Sequence, residues 1–154
     1  MKIIFYTWIG LLLFSCRLNQ EHSSCSTDGL AENRVYIKSR IKTYKTLKIS
    51  DTSLVVVKGH ILGKYKLKDS IFTSPLNAAI VIFVRTSDSL EFTAISDEKG
   101  SYSIKLKQGN YDALVKFYGY NAIFIRNFKF LNGMIKNLDV VLGQGEAVDN
   151  QRIP

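Results

Sequence analysis

Beyond residue 53 the apolar residues recur at alternate positions, and no segment sustains the 3.6-residue spacing of a capped helix. Val55, Val57 and Ile61 share one parity, with Gly59 between them; Lys58 and His60 take the other. A period of two sends the two sets to opposite faces of a sheet. Tyr102, Ile104 and Leu106 alternate with Ser103, Lys105 and Lys107, the pattern of a strand with one buried face. Tyr111, Ala113, Val115 and Phe117 repeat it, as do Leu138, Val140 and Leu142 around Asp139 and Val141. Residues 78–84 are almost continuously apolar, which predicts a central strand covered on both faces. Phe92, Ala94 and Ser96 predict a shorter strand, and residues 122–130 a longer one carrying Ile123, Phe124, Ile125, Phe128 and Phe130.

Turn chemistry separates these runs. Ser74-Pro75-Leu76-Asn77, Gln108-Gly109-Asn110, Gly119-Tyr120-Asn121 and Asn132-Gly133 each break the alternation. Asp97-Glu98-Lys99-Gly100 is a tight connection in which the aspartate can accept from amides ahead of it and the glycine can take positive φ. Seven short strands at a spacing of about 8–12 residues predict an all-β fold, a seven-stranded Greek-key β-sandwich over residues 54–143. Residues 144–154 read as a flexible C-terminal tail. Upstream, Val35, Ile37, Ile41, Leu47 and Ile49 share a parity that predicts an added edge strand; a helix through Ile37, Ile41 and Tyr44 is the competing reading.

The order of the motifs resembles the carboxypeptidase regulatory-like domain, a transthyretin-like (prealbumin-like) sandwich. Lys58-Gly59-His60-Ile61 stands where that family opens its first strand. Pro75-Leu76-Asn77-Ala78-Ala79-Ile80-Val81 follows the pattern of a proline-led turn into an alanine-rich strand. Ser96-Asp97-Glu98-Lys99-Gly100-Ser101-Tyr102, Gly109-Asn110-Tyr111 and Phe117-Tyr118-Gly119-Tyr120 complete the series. The departures are Ser96, where threonine is usual, and a long lysine-rich first loop over residues 63–74. The resemblance implies framework roles for Gly59, Asp97, Gly100, Tyr102, Gly109, Tyr111, Gly119 and Tyr120. It also implies a domain that works by contact, as related domains do beside peptidases and in front of outer-membrane receptors.

The N-terminus adds a compartment. Lys2 precedes an apolar run over residues 3–14, followed by Ser15 and Cys16. A cation before a short apolar stretch is the anatomy of an export signal, and the run is shorter than the roughly 20 residues a spanning helix needs. Leu13, Ser15 and Cys16 resemble the lipobox of bacterial lipoproteins, although Phe14 is bulky for its place. The resemblance implies a signal peptide over residues 1–15, lipidation of Cys16 and attachment to the outer membrane; Arg17-Leu18-Asn19-Gln20, which lacks an acidic run, points to its periplasmic side. An ordinary secretory signal is the alternative. Residues 16–53 then read as a tether and basic segment.

Charge and cysteine content refine this. The 154 residues carry 21 Lys+Arg against 13 Asp+Glu, a net charge of +8, which becomes +7 when Lys2 leaves with the signal. An exported location and scattered lysines speak against nucleic acid. The tract holding Arg34, Lys38, Arg40, Lys42, Lys45 and Lys48 reads as a solvated strand face, with contact to lipid headgroups as the alternative. Cys25 has no intramolecular partner once Cys16 is acylated, and His22 with Cys25 gives too few ligands for zinc.

Candidate chemistry is sparse. No His-Glu-x-x-His, phosphate loop or CxxC pair occurs. Transthyretin-like hydrolases place a catalytic histidine on the first strand, where His60 stands, but the further histidine and arginine partners and the C-terminal Tyr-Arg-Gly-Ser are missing. Asp97 with Glu98 offers two carboxylates, whereas calcium takes about six to eight oxygens. The expectation is therefore a non-catalytic, cofactor-free envelope module with a protein partner, and a carbohydrate-binding module as the alternative. Tyr65 and Tyr118 are the candidate ligand contacts, because sugar rings stack on exposed aromatics.

Overall fold

The computed structural model describes residues 36–50, 52–145 and 147–153. They form ten strands in two five-stranded sheets and no helix. In sheet A, β9 (Met134–Gly143) lies between β1 (Arg40–Ile49), antiparallel to it, and β2 (Val55–Leu67), parallel to it. β2 is 13 residues long, and its far edge is shared by two partners. β6 (Ser101–Leu106) pairs along its first half and β3 (Ser70–Pro75) along its second. Sheet B runs β10 (Val148–Arg152), β8 (Ala122–Phe130), β7 (Gly109–Lys116), β4 (Ile80–Arg85), β5 (Glu91–Ile95), with β10 parallel to β8.

The inward positions of both sheets meet in one core. Val55, Val57 and Ile61 of β2 and Leu138, Val140 and Leu142 of β9 face Val81 and Phe83 of β4 and the buried residues of β7 and β8. Its aromatic centre spans the layers. Phe128 meets Tyr44 of sheet A edge-on at 5.3 Å and Phe83 at 5.7 Å, and Phe130 packs on Tyr111 at 5.5 Å. Such pairs add about 0.5–1.5 kcal/mol beyond the area they bury.

Four sequence expectations are corrected. The region 63–74 is a hairpin, because β2 continues to Leu67 and returns as β3. The tail over 144–154 contains β10, so the strands extend past residue 143. The body has ten strands rather than seven. And β4 is an interior strand, next to the edge strand β5, and is covered on one face only: Val81 and Phe83 are buried, while Ile80, Ile82 and Val84 are half-buried on the other.

A buried polar clasp explains the added terminal strands. The Ser39 amide donates to Asp149 Oδ2 at 2.6 Å, and the Tyr36 hydroxyl donates to Oδ1 at 2.5 Å. Ser39 Oγ donates to the Asn121 carbonyl at 2.6 Å and accepts the Gly143 amide at 2.9 Å. The Asn121 side chain donates to the Ile37 carbonyl at 2.8 Å and accepts the Ala147 amide at 2.7 Å. The segment ahead of β1, the start of β10 and two strand termini are thus joined by side chains that would be costly to bury unpaired. Ser39→Ala removes one hydroxyl and strands the Gly143 amide, so denaturant unfolding is expected to show a loss of about 1–3 kcal/mol; a loss within experimental error would remove the clasp from the account.

Candidate functional site

The site begins at Gly59. A Cβ there would lie 2.0 Å from the carbonyl oxygen of Leu138 on the neighbouring strand, so only glycine fits. That carbonyl leaves the β2–β9 ladder, whose pairing lapses between Lys58↔Asn137 and Ile61↔Val140. Two groups replace the lost ladder bond. The Tyr102 hydroxyl, from the residue paired with Gly59 across β6, donates to the Leu138 carbonyl at 2.9 Å inside the core. The Asp139 carboxylate accepts the His60 amide at 2.9 Å on the outer face.

Outside this irregularity lies an open cleft of about 440 Å³, walled by Lys58, His60, Ser103, Asn137 and the start of the β5–β6 turn at Asp97. His60 is 58% exposed, and its Nδ1 lies 3.4 Å from Asp139 Oδ1. Asn137 Nδ2 donates to Asp139 Oδ2 at 2.8 Å. Burial of Asp139 works against its charge, but the hydrogen bonds from Asn137 and the His60 amide outweigh it and hold the carboxyl below the usual aspartate value. Burial, with Asp139 nearby, pushes the Tyr102 hydroxyl up, so it stays a donor at any physiological pH. The arrangement offers a cation, an imidazole, an amide and a hydroxyl on a flat strand face. These can orient a polar or anionic ligand. Among the described residues, no three His, Cys, Asp or Glu side chains gather as a metal ion would need.

No family model matches the chain. No curated protein matches it. Solved structures that share part of the fold include 3-chlorocatechol 1,2-dioxygenase from Rhodococcus opacus 1CP, with 9% identity, a TM-score of 0.44 and coverage of 63% of this chain and 63% of that one. A dioxygenase domain from Streptomyces sp. SirexAA-E has 10% identity and a TM-score of 0.40, covering 61% of this chain and 82% of that one. Chlorocatechol 1,2-dioxygenase from Pseudomonas putida has 10% identity and a TM-score of 0.41, covering 61% of each chain. The chain thus spans less than two thirds of the length of the two chlorocatechol dioxygenases.

The remaining described sequence candidates fall in four places. Asp97 closes the β5–β6 turn: its Oδ1 accepts the Lys99 amide at 2.9 Å and the Ser101 amide at 2.8 Å, and Gly100 takes φ 73°. Tyr111 is fully buried, and its hydroxyl donates to the Lys107 carbonyl at 3.1 Å across the β6–β7 turn that ends at Gly109. At the other end of β7, Tyr120 packs on Phe117 at 5.8 Å and over Gly63, whereas Tyr118, beside Gly119, is 97% exposed. Tyr118 borders an apolar depression of about 380 Å³ with Ala78, Ile80, Lys116 and Phe117. Tyr65 is half-buried and stacks on Phe72 across the β2–β3 hairpin at 5.8 Å. Cys16, His22 and Cys25 lie outside the described residues.

Sequence reasoning missed Asp139 and Asn137 as members of the site. Their polar alternation on β9 was visible, but only the parallel β2–β9 pairing brings them to His60.

Two outcomes follow. Tyr102→Phe leaves the Leu138 carbonyl buried without a donor, and equilibrium unfolding should show a cost of about 1–3 kcal/mol; no cost would mean that the carbonyl has another partner. Because Asp139 has a depressed folded-state value, its charge supports the fold fully above about pH 3.8. That support is lost as pH falls through the lower folded value. Asp139→Asn should flatten the acid limb of the stability curve below pH 4, read by thermal unfolding across pH; an unchanged limb would refute the assignment.

Proposed function

We propose that the chain is a lipid-anchored, non-catalytic binding or structural module of the cell envelope, of the carboxypeptidase regulatory-like type. In this reading β2 and β4 through β9 are the seven strands of a transthyretin-like Greek-key sandwich, and β1, β3 and β10 are additions to it. The framework positions support it: Asp97, Tyr102 and Tyr111 are all engaged in bonds within the body.

The observation that carries the non-catalytic part is the state of Asp139. Its oxygens are occupied by the His60 amide and Asn137, and His60 Nδ1 stands at 3.4 Å. An orienting hydrogen bond to a general base commonly measures about 2.6–3.2 Å and is looser where no substrate is bound. The carboxylate serves the ladder before it serves the imidazole, which favours ligand contact over proton transfer and disfavours the transthyretin-like hydrolase. Anchoring on Cys16 supplies the membrane, since two or three acyl chains on one residue exceed the marginal hold of a single chain. The reading places the body on the periplasmic side of the outer membrane.

A second reading, carbohydrate binding, is favoured by Tyr118, whose ring is solvent-facing beside an apolar depression. Intact mass measurement of the native protein should show a diacylglyceryl-modified Cys16 in the outer-membrane fraction; an unmodified thiol in a soluble fraction would defeat the anchor. A glycan array separates the two contact functions. Sugar binding that drops at least tenfold with Tyr118→Ala or Tyr65→Ala, with unfolding unchanged, would install the second reading. Crosslinking to envelope proteins without glycan signal would support the first.

A further inference from the structure

The register of sheet A defines rows of side chains on its outer face. One row runs Lys45, Asn137, Lys58, Ser103, and the next runs Lys48, Ile135, Val56, Lys105. Arg40 stands further along β1, opposite Val141. Lys45, Lys48, Lys58, Lys105 and Arg40 are all exposed. Neither row contains an acid; Asp139 stands in the adjacent row opposite Thr43, already bonded to His60 and Asn137. Among the described residues the ion pairs are His60 with Asp139 and Arg85 with Asp88, so no lysine of this face is neutralised there. Asp51 lies outside the described residues.

One end of sheet A carries exposed aliphatic side chains, on both sides of the sheet: Ile49 pairs with the core-packed Met134 and shares its side, opposite to Lys48. Leu47 and Ile49 close β1, Leu54 precedes β2, and Leu131 precedes β9. The Ser50 amide, donating to the Gly133 carbonyl at 2.8 Å, pins the end of β1 to the β8–β9 turn and gathers these residues at one end of the body.

We infer that the outer face of sheet A, with its aliphatic end, docks on a bilayer rich in anionic lipid. Cations draw the face to the headgroups, and the aliphatic side chains enter the boundary beneath them. The combination selects this partner. A nucleic acid would call for exposed aromatic rings on which bases stack. The exposed apolar residues at the end of this face are leucine and isoleucine. The contact extends the proposed membrane location but stands on charge placement alone, and it is tested without the anchor.

Residues 33–154 contain the whole described core and both halves of the clasp, so this body carries the contacts that hold the described fold. Purified body is mixed with vesicles of phosphatidylglycerol and phosphatidylcholine, or of phosphatidylcholine alone, and sedimented. Binding is expected on the anionic vesicles only, and it should weaken as salt rises from 0.05 to 0.5 M because exposed charges are screened. Lys45→Gln, Lys58→Gln and Lys105→Gln together should lower partitioning by about 100-fold, roughly fivefold for each lysine. Ile49→Ser with Leu131→Ser should remove the part of binding that survives high salt. Arg126→Gln with Arg152→Gln, on sheet B, should change nothing. Near-ultraviolet circular dichroism checks the fold of each variant, and the salt dependence of the parent body needs no variant. Equal binding to both vesicles, an equal loss in the sheet B pair, no binding, or retention by a single-stranded oligonucleotide but not by vesicles would each overturn the inference. None of these outcomes touches the mass of Cys16, so the anchor stands or falls separately.

Discussion

A single carbonyl, that of Leu138, turned out of its ladder, organises the centre of sheet A. A buried carbonyl without a donor costs about 1–3 kcal/mol, so its rotation into the core demands a partner. Tyr102 is that partner, and it reaches the oxygen because its cross-strand neighbour is Gly59. The space a Cβ would take is already filled by the carbonyl itself. On the other side of the sheet the vacated amide of His60 turns to the Asp139 carboxylate. One backbone irregularity therefore fixes a glycine, a tyrosine and an aspartate together, and it places His60 and Asn137 at the wall of the cleft. Tyr102 and the cleft are two faces of the same event, which is why a change in the core at Tyr102 should be felt at the outer surface.

The terminal clasp solves a different problem. A sheet edge exposes unpaired amides and carbonyls that invite further pairing. β1 covers one edge of β9 and β10 one edge of β8. Neither added strand is rich in core residues: β1 sends only Ile41 and Tyr44 to the core, and β10 buries none of its large aliphatic side chains. Their attachment relies on Ser39, Asn121 and Asp149, whose polar atoms are all bonded. A buried carboxylate that accepts two donors from the segment ahead of β1 holds geometry more tightly than an equivalent aliphatic contact would, because hydrogen bonds are directional and hydrophobic contact is not.

What the sequence made legible was local. The Asp97–Gly100 turn and the Tyr111 to Lys107 bond span four residues or fewer, and their residue types announce the geometry. Strict alternation in β2, β6, β7 and β9 likewise reads directly. Legibility failed where a bulge shifts parity. β1 slips between Ile41 and Thr43, so Ile41 and Tyr44 face inward three residues apart, which is why that segment mimicked a helix. β8 slips opposite Tyr111 and Ala113, with Asn127 at φ 69°, so Ile123 and Ile125 give way to Phe128 and Phe130. The tail failed for a related reason. Val148, Asn150 and Arg152 face away from the clasp, while Asp149 and Gln151 bond to it, and polar inward residues carry no hydrophobic period. The site was least legible of all, because His60 and Asp139 are 79 residues apart and meet only through a parallel pairing that no local pattern encodes.

The two outer faces bear different loads. On sheet B, Ile80, Ile82 and Val84 are half-buried, and Arg126 lays its guanidinium over Phe124 at 5.2 Å, so a cation shields part of an apolar surface. On sheet A, among the described residues, the lysines of the outer face form no ion pair. Lys45 and Lys58 flank Asn137 across two strand spacings, about 10 Å at the backbone. That separation exceeds the Debye length of about 8 Å at physiological salt, so the lysines repel one another weakly in solution. A surface that gathers like charges at such spacing costs the fold little. It yields a field that matters only when an opposing sheet of charge comes within a few ångströms, and a flat array of strands can meet such a surface with every row at once.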